Sequence, residues 1–530
     1  METPRTQYNK LIAKTLANIE TNQAIGFIGK LIDLAAGLGE EDGSRQAIAW
    51  FSEISSRELT DEQRCKLEYF TANAWADIAR LSRHGKDIAF DWEQEEFEKR
   101  ILHLRSAKGN PAFEGLPLLN RCQILTNLGN TLSEVGRFVE AVEHWDSVIK
   151  LDESFGMAIG NKGFGLSFYA NALYDCGHAR ILCSYAKELL QKALSCSLEH
   201  SAKKTFEDRQ VQITTWLDNN PCRKSINLEK FSLGKSESEI RYRRWCLRNR
   251  LFLNPLNDIG PYPIAARDVL STPSMVAGIN EGPGYQGFFN QMKQEFVSSR
   301  YLYYEGITIN RPHFSDNGVL LLNTLDYPAY SLSVEKVKAA FRMAYSLFDK
   351  IAWFLLKYMR IEDKLNSKKM KIVKFRNIWY DNLSKEEGLW SDFEQYKNRP
   401  LRGLFWLSKD LFEDRPEFKE CMEPDAQELW KIRNHLEHKY LKLHDSLGTW
   451  IGDTKEPCPA LKPFKDELAY SLYRSDFEAK TLRLIKMVRA SLIYLSLGIH
   501  CEELRRKQEK NGEHHAVPVI LPIYDDNWKR

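Results

Sequence analysis

Four long stretches in the C-terminal half of the chain repeat apolar residues at i, i+3, i+4 and i+7, which only an amphipathic helix turns into one continuous stripe. The first, about 287–305, holds Phe289, Met292, Phe296 and Tyr303. The second, about 333–360, holds Val337, Phe341, Ala344, Phe348, Ile351 and Leu355. The third, about 425–445, holds Leu429, Ile432, Leu436, Tyr440 and Leu443. The fourth, about 475–508, holds Phe477, Leu484, Val488, Leu492 and Ile493. Each stripe needs a partner to bury it, so a four-helix bundle is predicted. Between the first two, Ile307-x-Ile309 and Val319-x-Leu321 alternate around Asp316-Asn317-Gly318 and predict a small β-hairpin.

The third stretch carries chemistry as well as a stripe. Pro424-Asp425 opens it, and Asp425 with Glu428 has capping-box spacing. Asn434 and His438, four apart, share a polar face that Arg433 flanks. Histidine exchanges a proton near neutral pH. Arginine stays charged, and its planar fork fits phosphate oxygens. Asparagine can orient a phosphate or the imidazole. Such a set suits phosphodiester chemistry and needs no metal when the substrate supplies its own nucleophile, as an RNA 2′-hydroxyl does. No metal and no cofactor are expected.

The segment Arg433-Asn434-x-x-x-His438-x-Tyr440 resembles the Arg-x4-His motif of the HEPN superfamily of ribonucleases, and no other Arg-x4-His occurs in the chain. Tyr440 matches the longer Arg-x4-His-x-Tyr form of HEPN toxins paired with minimal nucleotidyltransferases. The resemblance implies a helical bundle, catalysis by Arg433 and His438 with Asn434 in support, and a cleft shared by two subunits. It also implies that Tyr440 is a regulatory position, since the partner enzyme of those toxins modifies this tyrosine with AMP. Asp349 on the second helix and Glu295 on the first are acidic groups beside apolar stripes, either of which could orient Arg433. An insertion of about 60 residues between the second and third helices opens with Lys368, Lys369, Lys371, Lys374 and Arg376. Such a run is a solvated face or the border of an RNA groove. The loop after the third helix, with Trp450 and Pro457 to Pro463, is a possible cover for the site.

The N-terminal half reads as a helical array with few breakers. Leu125-x-x-Leu128-Gly129-x-x-Leu132, followed by Ala141, Trp145 and Val148, resembles a tetratricopeptide repeat, in which small residues let paired helices approach. Gly163 and Leu166 repeat Gly129 and Leu132 at the 34-residue interval of that family, but Asp175 stands where Ala141 would recur. Between the halves, Arg241-Tyr242-Arg243-Arg244-Trp245 reads either as an RNA platform of arginines and rings or as a helix whose aromatics pack; the packing reading fits the apolar Leu251-Phe252-Leu253 that follows. Residues 255–287 are rich in Pro and Gly and predict ordered loop or linker.

Length and composition bound the rest. A chain of 530 residues exceeds one ordinary domain. We expect a mainly α protein: a tetratricopeptide-like helical repeat region at 1–205, a linker or irregular region at 206–286, and a HEPN-like helical nuclease domain at 287–530. No apolar run is long enough to span a membrane, no signal-like block follows the N-terminus, and the 10 cysteines lack paired spacing. A cytoplasmic chain with free thiols is expected. The net charge of +3 is mild, so RNA binding must use local basic patches such as Arg241, Arg243, Arg244, Lys368, Lys369 and Lys371. The expected function is a metal-independent RNA endonuclease, a toxin or antiviral-defence effector, acting as a homodimer or larger even-numbered oligomer. A protein partner on the repeats would control it. The alternative is a non-catalytic protein-interaction scaffold.

Overall fold

The computed structural model describes residues 2–82, 91–221, 227–278, 282–324, 326–394, 396–412, 426–445, 466, 468–509 and 518–529. Among the described residues ten helices come first: α1 (Pro4–Ile12), α2 (Thr21–Leu38), α3 (Glu41–Ser55), α4 (Asp61–Ser82), α5 (Glu95–Gly109), α6 (Leu118–Glu134), α7 (Phe138–Leu151), α8 (Gly156–Asn171), α9 (Cys176–Leu194) and α10 (His200–Asn219). Eight follow: α11 (Glu237–Arg248), α12 (Gly284–Thr308), α13 (Leu332–Tyr358), α14 (Ser367–Met370), α15 (Ser391–Glu394), α16 (Arg399–Phe412), α17 (Ala426–His438) and α18 (Arg474–Glu509). The protein is mainly α. Its one sheet among the described residues pairs β1 (Tyr440–His444) with β2 (Ala469–Tyr473) in parallel, Leu441 opposite Tyr470 and Leu443 opposite Leu472. No helix among the described residues is long and apolar enough to cross a membrane.

Consecutive N-terminal helices stack in antiparallel pairs, and small residues set their spacing. Trp145 of α7 is buried between α6 and α8. A Cβ on Gly129 would lie 2.7 Å from Trp145 Nε1, and one on Gly165 2.6 Å from the indole ring. The two glycines thus make the slot the indole fills. Asn130 Oδ1 accepts from both Trp145 Nε1 and Asn161 Nδ2 at 3.0 Å, joining the same helices. Asp175 breaks the second repeat for a local reason. It caps α9, its carboxylate accepting the His178 N–H at 2.9 Å, so that helix begins later than a strict repeat would place it.

Three predicted bundle helices stand as expected in α12, α13 and α18. Two other expectations are corrected. The hairpin does not form: α12 runs on through Thr308 and takes Ile307 into the helix, while Val319–Leu322 lies exposed and outside any strand. The small β-element lies elsewhere and is parallel. The third predicted helix stops at His438, and Tyr440 and Leu443 belong to β1. Asp425, half of the expected capping box, and the loop with Trp450 and Pro457 lie outside the described residues. Glu428 accepts from the Tyr470 hydroxyl at 3.1 Å and pairs with Lys480 at 3.2 Å.

The stretch expected as linker holds α11 and then, over residues 251–260, a wholly buried wedge between the halves. Its buried polar groups are satisfied, as a buried backbone requires. Arg489 of α18 donates to the Phe252 and Asn254 carbonyls at 2.6 and 3.1 Å and pairs with Asp258 at 2.7 Å. Tyr169 of α8 donates to the same Asp258 at 3.0 Å. On α11, the Tyr242 and Trp245 rings pack against Tyr301, Tyr303 and Tyr304 of α12.

Helix α16, which was not among the four expected from the sequence, docks the N-terminal helices onto the bundle. Asn398 caps it, accepting the Leu401 N–H at 3.1 Å and donating to the Gly498 carbonyl of α18 at 2.8 Å. Its backbone meets the α6–α7 turn so closely that a Cβ on Gly403 would collide with the Gly136 carbonyl. Buried Asp410 is clamped by Arg105 of α5 and by Arg137, and buried Lys409 pairs with Glu98.

Candidate functional site

Helix α17 presents Leu429, Ile432 and Leu436 to the core, all buried. Its last turn is pinned from α13, where Arg342 Nη2 donates to the Leu436 carbonyl at 2.6 Å. On one flank the His435 ring packs against Tyr470 of β2, centroids 5.0 Å apart, and His435 Nδ1 donates to the Lys431 carbonyl at 2.7 Å. His435 is therefore held by packing and backbone, while the neighbouring polar groups stay available.

Arg433 and Asn434 are half-buried and His438 is exposed on the final residue of the helix. Arg433 Nη1 donates to Asn434 Oδ1 at 3.2 Å. Helical geometry sets Asn434 about 40° from His438 around the axis and Arg433 about 140° from it. Asn434 thus bridges the arginine side and the histidine side. Among the described residues His438 makes no hydrogen bond, so its imidazole is open to a ligand.

The two carboxylates singled out from sequence part company. Glu295 pairs with Lys350 and accepts from Gln291 at 2.9 Å, so its charge is used within the α12–α13 pair. Asp349 faces the site. The protein packed around its carboxyl pushes it above the ordinary carboxylate range, and Arg433, Lys374 and the Phe375 N–H pull the other way. The buried phenol of Tyr345 lies in the same neighbourhood: burial and then Asp349 raise it, against Arg433 and Arg376. Lys374 and Arg376, the later members of the basic run, therefore share this field with Arg433. Of the earlier members, Lys368 and Lys371 are exposed and Lys369 donates to Asn382 at 2.9 Å. On α11, Arg241 pairs with Glu237 at 3.8 Å, Arg243 pairs with Glu239 at 2.8 Å, and Arg244 is exposed.

Tyr440 lies neither on the arginine's side of the helix nor in its core stripe, since β1 begins there. It is exposed, and its hydroxyl is 3.2 Å from that of Tyr330, whose own pKa this hydrogen bond pushes up to about 12. The next residue but one, Lys442, is buried and pairs with Asp326 and Asp466 at 2.7 Å each, fixing β1 directly after the motif. Sequence reading did not find this anchor; its signal is a lone lysine between Leu441 and Leu443 on an otherwise apolar strand. Residues 276–502 match the family model described as LA2681-like HEPN. No curated protein and no solved structure matches the chain.

Proposed function

We propose that this chain, whose residues 276–502 match the LA2681-like HEPN model, is an endoribonuclease whose residues 287–530 cut single-stranded RNA. The observation that carries this reading is the juxtaposition on and around α17: an available His438, Asn434 bonded to Arg433, and Lys374 and Arg376 in the field of the same arginine. His438 takes the proton of an RNA 2′-hydroxyl; the 2′-oxygen then bonds to phosphorus as the P–O5′ bond breaks. Arg433 stabilises the charge that builds on the phosphorane-like transition state, an effect on the order of 3 kcal/mol. A second acid protonates the leaving 5′-oxygen, and a second copy of His438 across a two-fold axis is the proposed donor. The Lys374–Arg376 surface holds the RNA backbone.

The test is cleavage of a single-stranded RNA by the full chain in EDTA. Products ending in a 2′,3′-cyclic phosphate and a 5′-hydroxyl are expected. Activity that vanishes in EDTA and returns with magnesium would contradict the mechanism.

As a toxin or defence effector, the enzyme is controlled in this reading by residues 1–205, a protein-binding repeat region joined to the motif helix through α16. Tyr440 offers a second point of control, because its exposed hydroxyl stands two residues beyond His438. A Tyr440→Phe chain is expected to stay toxic when a nucleotidyltransferase partner is co-expressed. Silencing as complete as in the unaltered chain would remove the modification from the account.

A further inference from the structure

The loop from α12 to α13 carries a feature that the nuclease reading leaves unused. Val319, Leu320, Leu321 and Leu322 run in extended conformation with exposures of 57%, 97%, 57% and 90%. The alternation has the period of a β-strand. Val319 and Leu321 are half covered by their own chain, while Leu320 and Leu322 stand free on one face. Among the described residues, no backbone group of Gly318–Leu322 has a hydrogen-bond partner in the chain.

The arm is held at both ends. Upstream, the Asp316 carboxylate accepts the Leu332 N–H at the start of α13 at 3.0 and 3.1 Å. Downstream, Asp326 pairs with Lys442 of β1, and Ala329 N–H donates to the Leu443 carbonyl at 2.7 Å. Asp326 is four Cα steps beyond Leu322, a reach of at most about 14 Å. The free strand is thus tethered to the strand that follows His438.

With Phe314, itself 77% exposed, the arm offers on the order of 500 Å² of apolar surface. That is near the upper end of the largest patches on monomers, about 300–600 Å². It is also more than half of the roughly 800 Å² that each partner contributes to a stable interface. Monomeric proteins guard a bare strand edge with charge or proline, yet Asn317-Gly318-Val319-Leu320-Leu321-Leu322-Asn323 has neither. The segment can be paired with its own copy. Laid antiparallel on itself about Leu321, it sets Leu320 opposite Leu322 on the free face and Val319 opposite Asn323 on the other, the self-complementarity a two-fold contact requires.

We propose that Val319–Leu322 is a clasp that pairs with the same segment of a second copy of this chain and brings the second motif helix up to the first. The clasp itself stands on the arm's geometry, and only its consequence for catalysis rests on the nuclease reading.

Sedimentation velocity of the full chain tests it, with Leu320→Ser/Leu322→Ser as the variant. Both side chains are solvent-facing, so far-ultraviolet circular dichroism and the thermal midpoint should not change, and a Leu320→Ile/Leu322→Ile chain should behave as the unaltered one. The unaltered chain is expected to dimerise at micromolar concentration and the serine variant to dimerise at least ten-fold more weakly, with RNA cleavage per chain falling in step. An unaltered chain that stays monomeric at tens of micromolar overturns the clasp. So does a serine variant that dimerises as tightly as the original, since the copies then meet elsewhere. A chain that dimerises through the arm and cuts no RNA supports the clasp and removes the nuclease reading instead.

Discussion

Replacing His438 by alanine is expected to lower RNA cleavage by about 10²–10⁴-fold, the range for loss of a positioned general base. The fold should be unaffected, because the imidazole is exposed and bonds to nothing among the described residues. Arg433→Ala should cost a similar amount for a different reason, the loss of charge stabilisation in the transition state, about 3 kcal/mol or more than 100-fold. The two variants should separate in binding. His438→Ala should hold RNA nearly as tightly as the unaltered chain, while Arg433→Ala should bind more weakly and with a smaller salt dependence. Single-turnover cleavage alongside filter binding reads both quantities. A His438→Ala chain that cuts at the original rate would exclude this histidine as the base and leave the scaffold reading in its place.

Asp410→Ala is expected to destabilise the protein by about 3–5 kcal/mol, the cost of stranding a buried charge. Arg105 and Arg137 both point at this one carboxylate and both are buried, Arg137 pairing also with Glu140 at 2.8 Å. Burial alone would raise the Asp410 carboxyl; Arg105 and Arg137 more than reverse that and hold it below the ordinary carboxylate range. A carboxylate depressed in the folded state contributes stability that is complete above its unfolded pKa, about 3.9, and is lost as pH falls through the folded value. The cluster should therefore hold at neutral pH and fail in acid, and Asp410→Asn should flatten the stability profile below about pH 4. Urea unfolding at pH 7 and pH 3 measures both effects. A chain whose midpoint is unmoved by Asp410→Ala at pH 7 would show that α16 is not held to the repeats by this clamp. Because α16 lies just ahead of the motif helix, the same variant tests the route by which the repeats could govern the site.

Much of the bundle is legible in the sequence, because α12 and α13 each bury one face and leave another in water, and that asymmetry prints a period; α18 is buried all round over residues 487–499 and is marked there by its long apolar run instead. The candidate motif is legible too: residue type, spacing on one helix and the resemblance together pick out Arg433, Asn434 and His438. Helix α16 is legible by the same test, since Arg399, Arg402, Lys409 and Asp410 fall on one side and Leu401, Leu404, Leu407 and Leu411 on another. What the sequence does not tell is that its polar side is buried too, where Asp410 and Lys409 meet Arg105, Arg137 and Glu98. The change from helix to strand after His438 is also invisible locally. Leu436, Tyr440 and Leu443 satisfy a helical count, while Leu441 and Leu443 satisfy a strand count; β2, distant in sequence, decides between them.

The same dependence on distant partners explains the other differences. Proline and glycine near 255–265 describe local backbone preference and say nothing of Arg489, whose bonds to Phe252, Asn254 and Asp258 make that segment core. Glu295 and Asp349 look alike beside their apolar stripes until Lys350 takes one and the other falls in the field of Arg433. By itself the sequence determined which segments are amphipathic helices and which side chains are candidates for the chemistry, since both are properties of near neighbours along the chain. Which carboxylate lies in the field of Arg433, where the motif helix stops, and that Val319–Leu322 is left without a strand to pair with among the described residues were decided only by tertiary structure, because each depends on groups far apart in sequence.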